Sequence, residues 1–272
     1  MTVFIILIFG LIVGSFLNMV IYRLHSGGSM IFARSKCPHC KTELAALDLV
    51  PVFSFIFLRG KCAHCAKKIS WQYPIVEIIT GMTFVLLFLN FSAGGGSLPA
   101  GQAGAFGGQY WFELFLASVF IVVAGFDLKH YLILDKVIFP VLGIVLIRNF
   151  LSDLSTGIWS IGNGYFLSGI IGAGIIAGFF FLQYIFSKGR WIGFGDVKYG
   201  LLLGAFAGFE LSLVLLMVAY ILGAFVGLGL IAINKKQLSS KLPFGTFLSA
   251  SAIIVMLAGD KILNWYLKLI GY

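Results

Sequence analysis

Residues 164–200 read GYFLSGIIGAGIIAGFFFLQYIFSKGRWIGFGDVKYG. The first part is an apolar run of membrane-spanning length, since a helix needs roughly 17–25 such residues to cross the hydrocarbon. It is followed by a short polar turn carrying Asp196, and then by a second apolar stretch at 199–209. A carboxylate where a chain leaves and re-enters a membrane is costly, and such groups usually face a cavity and mark a functional site. One Asp beside two glycines is equally the composition of an ordinary turn. The rest of the chain has to decide between these readings.

Of 272 residues, 60% are hydrophobic and 11% charged, whereas about a quarter of residues are charged in an ordinary soluble domain. The chain therefore reads as an all-α polytopic membrane protein. Spans are expected near 2–22, 73–92, 110–127, 132–151, 163–186, 211–233 and 242–259. The short stretch 199–209 makes an eighth only if it extends into the GDVK turn or to Glu210. The first span lacks a positive n-region and a small-residue cleavage site, so it is expected to be retained rather than removed as a signal peptide. With the N-terminus outside, every Lys and Arg except Arg148, Lys261 and Lys268 falls on the inner side, as positive-inside orientation requires. The net charge of +9 then reads as orientation and affinity for anionic lipid, and nucleic-acid binding is not needed to explain it.

Three regions are expected: a first transmembrane helix (1–22), a cytoplasmic loop domain (23–72) and a membrane core (73–272). The loop holds all four cysteines, as CPHC at 37–40 and CAHC at 62–65. Two C-x-x-C knuckles supply four thiolates for a tetrahedral zinc site, so Cys37, Cys40, Cys62 and Cys65 are the expected ligands of a structural Zn2+. Two disulfides or a redox motif are the competing readings, and a reducing cytoplasm disfavours the disulfides. His39 and His64 lie inside the knuckles and could replace a cysteine in the shell, but with four thiolates available they are read as bystanders. A closed four-thiolate site leaves no open position for catalysis; its role is to fold a loop too small to build its own core. The glycine-rich stretch 92–109 has the composition of a flexible linker.

Three of the ten acidic residues, Asp127, Asp135 and Asp196, fall at inner ends of spans and so at similar depth. Any one of them serves as a helix cap or a partner for lysine. Two brought together share a proton, and such a pair activates water with one member while protonating a peptide carbonyl with the other. Gly193 and Gly195, without Cβ, let a substrate strand approach closely, or simply make a turn or pack two helices. Lys198 either tunes a carboxylate, holds a substrate acid, or anchors the helix end, the last being favoured. Glu77, a turn inside the second span, is expected to pair with a basic or polar group across helices.

With these residues in view the chain resembles the type IV prepilin peptidase family, polytopic aspartic peptidases of the GxGD type. The resemblance runs nearly end to end: GSFLNMVIYRL at 14–24, the paired CPHC and CAHC, LVPVFSFIFLRGKC at 49–62, ISWQYPIVE at 69–77, Asp127 and Asp135 eight residues apart, GFGDVK at 193–198 and KLPFGTFL at 241–248. It implies that Asp127 and Asp196 are the catalytic pair, with no metal in the peptidase chemistry. It also implies a multi-pass protein of the bacterial inner membrane, with the zinc loop and active site on the cytoplasmic side. The implied substrates are prepilins or pseudopilins with a short basic leader ending in Gly, followed by an apolar helix. Many members also N-methylate the new N-terminus with S-adenosylmethionine, an activity associated with the cysteine-bearing loop. The family usually has Pro before the second Asp of the D-x7-D element, where this chain has Leu134. Asp135 is accordingly expected to N-cap the following span and to be the fallback catalytic acid.

Two other classes compete. An ion-coupled transporter would spread its acids across the membrane, whereas these gather on one face. A membrane-anchored zinc-loop docking protein would need its cysteines and not its aspartates. Zinc-dependent proteolysis is disfavoured, because the chain has no H-E-x-x-H.

Overall fold

The computed structural model describes residues 1–26, 35–93, 108–161, 164–233 and 242–271. The glycine-rich stretch 94–107 and Arg34, Lys235, Lys236 and Lys241 lie outside the described residues. Helix is the natural outcome for apolar segments in lipid, because it satisfies every backbone polar group internally. Among the described residues there are eight α-helices: α1 Thr2–Ser26, α2 Phe53–Phe57, α3 Gln72–Ser92, α4 Gly108–His130, α5 Asp135–Thr156, α6 Tyr165–Ser187, α7 Phe194–Ala232 and α8 Phe244–Leu269. All except the five-residue α2 are long and apolar enough to span a membrane. Among the described residues there are no strands beyond two isolated bridges in the cysteine loop.

The chain forms two compact units, Met1–Gly125 and Phe126–Tyr272, divided within α4. In the first, α1 and α3 pack antiparallel: Gly10 stands against Gly81, Gly14 against the Cα of Glu77, and Asn18 donates to the Tyr73 carbonyl at 2.9 Å. Gly10 and Gly14 form a G-x-x-x-G pair, the small-residue spacing that lets membrane helices approach closely.

In the second unit α7 is the key element. Its 39 residues are not one rod, because Gly208 has φ 71° and ψ −177°, a conformation open mainly to glycine. Gly200, before the break, packs on Ile176 and Phe180 of α6, and Tyr220, after it, meets Gln183 and Phe179 of the same helix. Gly208 itself lies beside Ser168 and Gly172. Both legs therefore run along α6, and α7 is a helical hairpin with its tip at Gly208. Ser168 Oγ accepts the Phe209 N–H at 2.9 Å and starts the second leg. The short apolar stretch 199–209 belongs to the first leg, which is part of one long helix, so the described residues hold seven candidate spans where eight were expected from sequence.

The first leg, residues 194–207, is about 20 Å long at 1.5 Å per residue, while the 23 residues of α6 extend about 34 Å. The leg's start thus stands level with the last turns of α6 and not beyond them, as the 5.4 Å stacking of Phe194 on Tyr184 requires. The α6–α7 seam is so close that Gly172 and Gly204 touch through their backbones. Two buried polar residues of α5 complete the unit. Asp153 accepts the Tyr165 and Phe166 N–H groups at 2.8 and 2.7 Å, capping α6, and Asn149 donates to the Ala205 carbonyl at 3.0 Å.

Candidate active site and four-cysteine centre

Asp196 is the third residue of α7, after the N-cap Gly193. Its Oδ2 accepts the Gly193 N–H at 3.1 Å while the Gly193 carbonyl accepts the Asp196 N–H at 3.1 Å, the return half of a capping box. Asp196 does serve its own turn, as the plain reading supposed, and its side chain is buried there at 9% exposure.

Asp127, near the end of α4, is buried at 4% exposure. The first turn of α8 holds it. The Thr246 N–H donates to Asp127 Oδ2 at 2.9 Å, the Thr246 hydroxyl does so at 3.3 Å, and the Gly245 N–H adds a further bond. A helix N-terminus presents free N–H groups to an anion, which explains why a carboxylate is tolerated at that depth. A Cβ on Gly245 would be tightly placed, 3.0 Å from Asp127 Oδ2 and 3.0 Å from Ile133 Cδ1, so one of these side chains would have to give by a few tenths of an ångström. Ile133 closes the triangle: its Cβ would be 3.1 Å from a side chain at Gly195, the residue before Asp196. The two carboxyl groups accordingly share one locality and interact electrostatically. Below them Tyr199, fully buried, shares a 2.8 Å hydrogen bond with Ser249, whose hydroxyl donates to the Gly245 carbonyl at 2.9 Å. That chain of bonds ties the first two turns of α7 and α8 together. A carboxylate has about four acceptor sites, so each aspartate retains capacity for a water.

Asp135 departs from expectation. The N-cap of α5 is Leu134, which makes no side-chain capping bond, and Asp135 is the first helical residue. Its carboxylate accepts from the Lys198 ammonium at 2.6 Å, which also lies 5.3 Å from the centre of the Phe194 ring. An available cation competed successfully with the α5 amides for this side chain. Lys198 is therefore engaged by Asp135 and is more than a free anchor. Gly193 makes the cap and Gly195 admits Ile133, so both glycines have local structural duties as well. Glu77 does find polar partners, though one is unexpected: it accepts from Ser15 across the helices and from the Val52 N–H of the cysteine loop at 2.8 Å.

The four cysteines converge within the first unit. Two matching knuckles hold them: the Cys37 N–H donates to Thr42 O and the Cys62 N–H to Lys67 O, with Lys41 and Ala66 at positive φ in corresponding places. The repeat is visible in the sequence as KCPHC at 36–40 and KCAHC at 61–65, which share the lysine and the histidine as well as the cysteines. All four Sγ atoms lie within 4.8 Å of one another, and Cys37 and Cys65 are 4.0 Å apart. A tetrahedral zinc with bonds near 2.3 Å sets sulfurs about 3.8 Å apart, so the donor set and its span fit that ion. The Thr42 hydroxyl and N–H lower the Cys40 thiol to about 6. Cys65, although the Lys67 N–H lowers it, is pushed up to about 11 by burial and the three neighbouring thiols. Thiols crowded in this way resist ionising together unless a cation sits among them.

A model of the bacterial peptidase A24 N-terminal domain matches residues 8–91, and one of the type IV leader peptidase family matches residues 114–228. Among curated proteins, the chain is 30% identical to a prepilin leader peptidase/N-methyltransferase of Legionella pneumophila, covering 97% of this chain and 93% of that one. It is 29% identical to proteins of the same name from Aeromonas hydrophila, covering 96% and 92%, and from Bacillus subtilis, covering 97% and 98%. No solved structure matches the chain.

Proposed function

The chain belongs to the type IV prepilin leader peptidase family, and on that premise we propose that Asp127 and Asp196 are its catalytic pair. It is a peptidase, and its family processes prepilins. The observation that carries the assignment is the junction of the first turns of α7 and α8, where Ile133 fits between Gly195 and Gly245 and so sets Asp127 and Asp196 in one locality. In this reading one carboxylate takes a proton from a water held between the pair. The oxygen so activated attacks the scissile carbonyl of the leader peptide, while the other carboxyl gives its proton to the carbonyl oxygen. Collapse of the resulting diol expels the amine, which leaves with a proton from the pair. Cleavage takes place at the cytoplasmic face, where the basic leader meets the apolar helix of a prepilin or pseudopilin.

The cysteine centre binds one structural zinc, with Cys37, Cys40, Cys62 and Cys65 as ligands, and the chain is bifunctional, N-methylating the released N-terminus with S-adenosylmethionine. The curated relatives carry both activities in their name, and the geometry of the thiols supports the metal.

The test is cleavage of a prepilin-type substrate in membranes by the unmodified chain and by Asp127→Asn, Asp196→Asn and Asp135→Asn at equal expression. Asp127→Asn and Asp196→Asn are expected to lose at least about a thousandfold in rate, as removal of an essential acid or base does. Asp135→Asn retains cleavage. Activity in either of the first two variants sinks the proposal.

A further inference from the structure

The unit Met1–Gly125 buries polar groups that peptide cleavage does not use. Glu77 is 7% exposed and Asn18 is 3% exposed. The Glu77 carboxylate accepts the Val52 N–H at 2.8 Å and a bond from Ser15, and no cation pairs with it among the described residues. One turn along α1 from Gly14 and Ser15, the Asn18 amide donates to the Tyr73 carbonyl at 2.9 Å, and its Oδ1 is buried with no donor. Gly14, lying against the Cα of Glu77, brings the two helices close enough for Ser15, Asn18 and Glu77 to line one seam.

The loop meets this seam under strain. Val52 has φ 62° and ψ −48°, and the Phe53 N–H donates to the Pro51 carbonyl at 2.6 Å across it. This is a three-residue γ-turn of the rare positive-φ kind, and a β-branched residue there is an outlier. Such backbone persists only where its surroundings enforce it, and Glu77 is the group that holds the Val52 N–H. The seam is therefore coupled directly to the cysteine-bearing loop.

A buried carboxylate without a counter-ion and a buried amide oxygen without a donor are both expensive, and one positively charged group with several N–H donors would satisfy both. We propose that the Ser15–Asn18–Glu77 seam binds a primary α-ammonium group and serves the methyl-transfer half of the enzyme. The inference rests on the bifunctional reading above and deepens it; it assigns binding to these residues and not the transfer step. Two molecules in that chemistry carry the group: the N-terminus released by cleavage, and the amino-acid end of the sulfonium methyl donor.

The experiment uses the full chain in nanodiscs. Binding is titrated with a mature pilin-type peptide bearing a free N-terminus and with its N-acetylated form, and with S-adenosylhomocysteine and its analogue lacking the α-amine. The unmodified chain is expected to prefer the free amine in one of the two pairs, and which pair it is distinguishes acceptor from donor. Glu77→Gln, which preserves shape and the Val52 contact, lowers that preference at least about tenfold, the worth of one charge-assisted hydrogen bond. Asn18→Ala lowers it less. Both variants keep their zinc and their cleavage rate, which shows that they are folded, and both release unmethylated product. A preference that survives in both variants, the absence of any preference, or normally methylated product from both overturns the proposal. Continued cleavage by Asp127→Asn would overturn the catalytic pair and leave this binding result standing.

Discussion

The Lys198 ammonium lies 2.6 Å from the Asp135 carboxylate and so ties the first turn of α7, which carries Asp196, to the first turn of α5, which follows the loop bearing Ile133. The pair is half-exposed, and ion pairs of that kind contribute about 0.2–1 kcal/mol to stability. Its importance lies in register. Asp135→Ala and Lys198→Ala are each expected to leave thermal unfolding nearly unchanged and to lower kcat several-fold. The exchanged pair, Asp135→Lys with Lys198→Asp, recovers at least half of the lost rate. A double variant no better than the worse single one would show that the pair does not position the site.

Gly245→Ala probes the other side of the site. A Cβ there meets Asp127 Oδ2 and Ile133 Cδ1, each at 3.0 Å; Ile133 can shift, but the carboxylate is fixed by Thr246. Misplacing a reacting group by about 1 Å costs on the order of a hundredfold in rate, and the shift of a few tenths of an ångström required here scales to about a few-fold. The expected result is a loss of that size in kcat with folding intact, measured as single-turnover cleavage. Full activity would separate the first turn of α8 from the chemistry.

The seam between α6 and α7 makes a prediction about stability. Gly204→Ala drives a methyl into the backbone of Gly172, whereas Gly174 and Gly178 on the same helix α6 have nothing within 4 Å of a Cβ. Overpacking of this kind costs about 1–3 kcal/mol, and here backbone has to yield. Thermal unfolding in detergent should place Gly204→Ala well below the unmodified chain and Gly174→Ala level with it. Equal melting of all three would contradict the close approach.

Metal retention should depend on pH through Cys40. Ligation needs thiolates; in the metal-free loop the Thr42 hydroxyl and N–H hold the Cys40 thiol down to about 6, so protons compete with zinc for Cys40 only as pH falls through that value, while the thiols that burial holds up are ionised by the cation itself. Bound zinc, measured by metal analysis after dialysis, should therefore persist at pH 7 and decline toward pH 5. Thr42→Val removes the hydroxyl donor and returns the thiol toward its ordinary range, so release begins at higher pH. An unchanged release curve would argue against this role of Thr42.

Much of the molecule was legible from the chain alone, because a membrane leaves few options. Apolar runs long enough to cross must be helices, and two C-x-x-C pairs bring their sulfurs together through local knuckle geometry. GxxxG at 10–14 was also there to be read as a close helix contact, and went unread beside the larger motifs. The spacing of Asp127 and Asp196 says nothing of distance, since 69 residues separate them. Their sharing one locality depends on where α7 turns back at Gly208, on the glycine seam that sets its first leg beside α6, and on the first turn of α8 reaching Asp127. Asp135 likewise looked like a cap, because local sequence contains the nearby amides but not the lysine 63 residues away that outcompetes them. Local physics, helix formation in lipid and tetrahedral thiolate geometry, is written residue by residue. Which carboxylate faces which partner is a property of packed helices, and only the tertiary structure decides it.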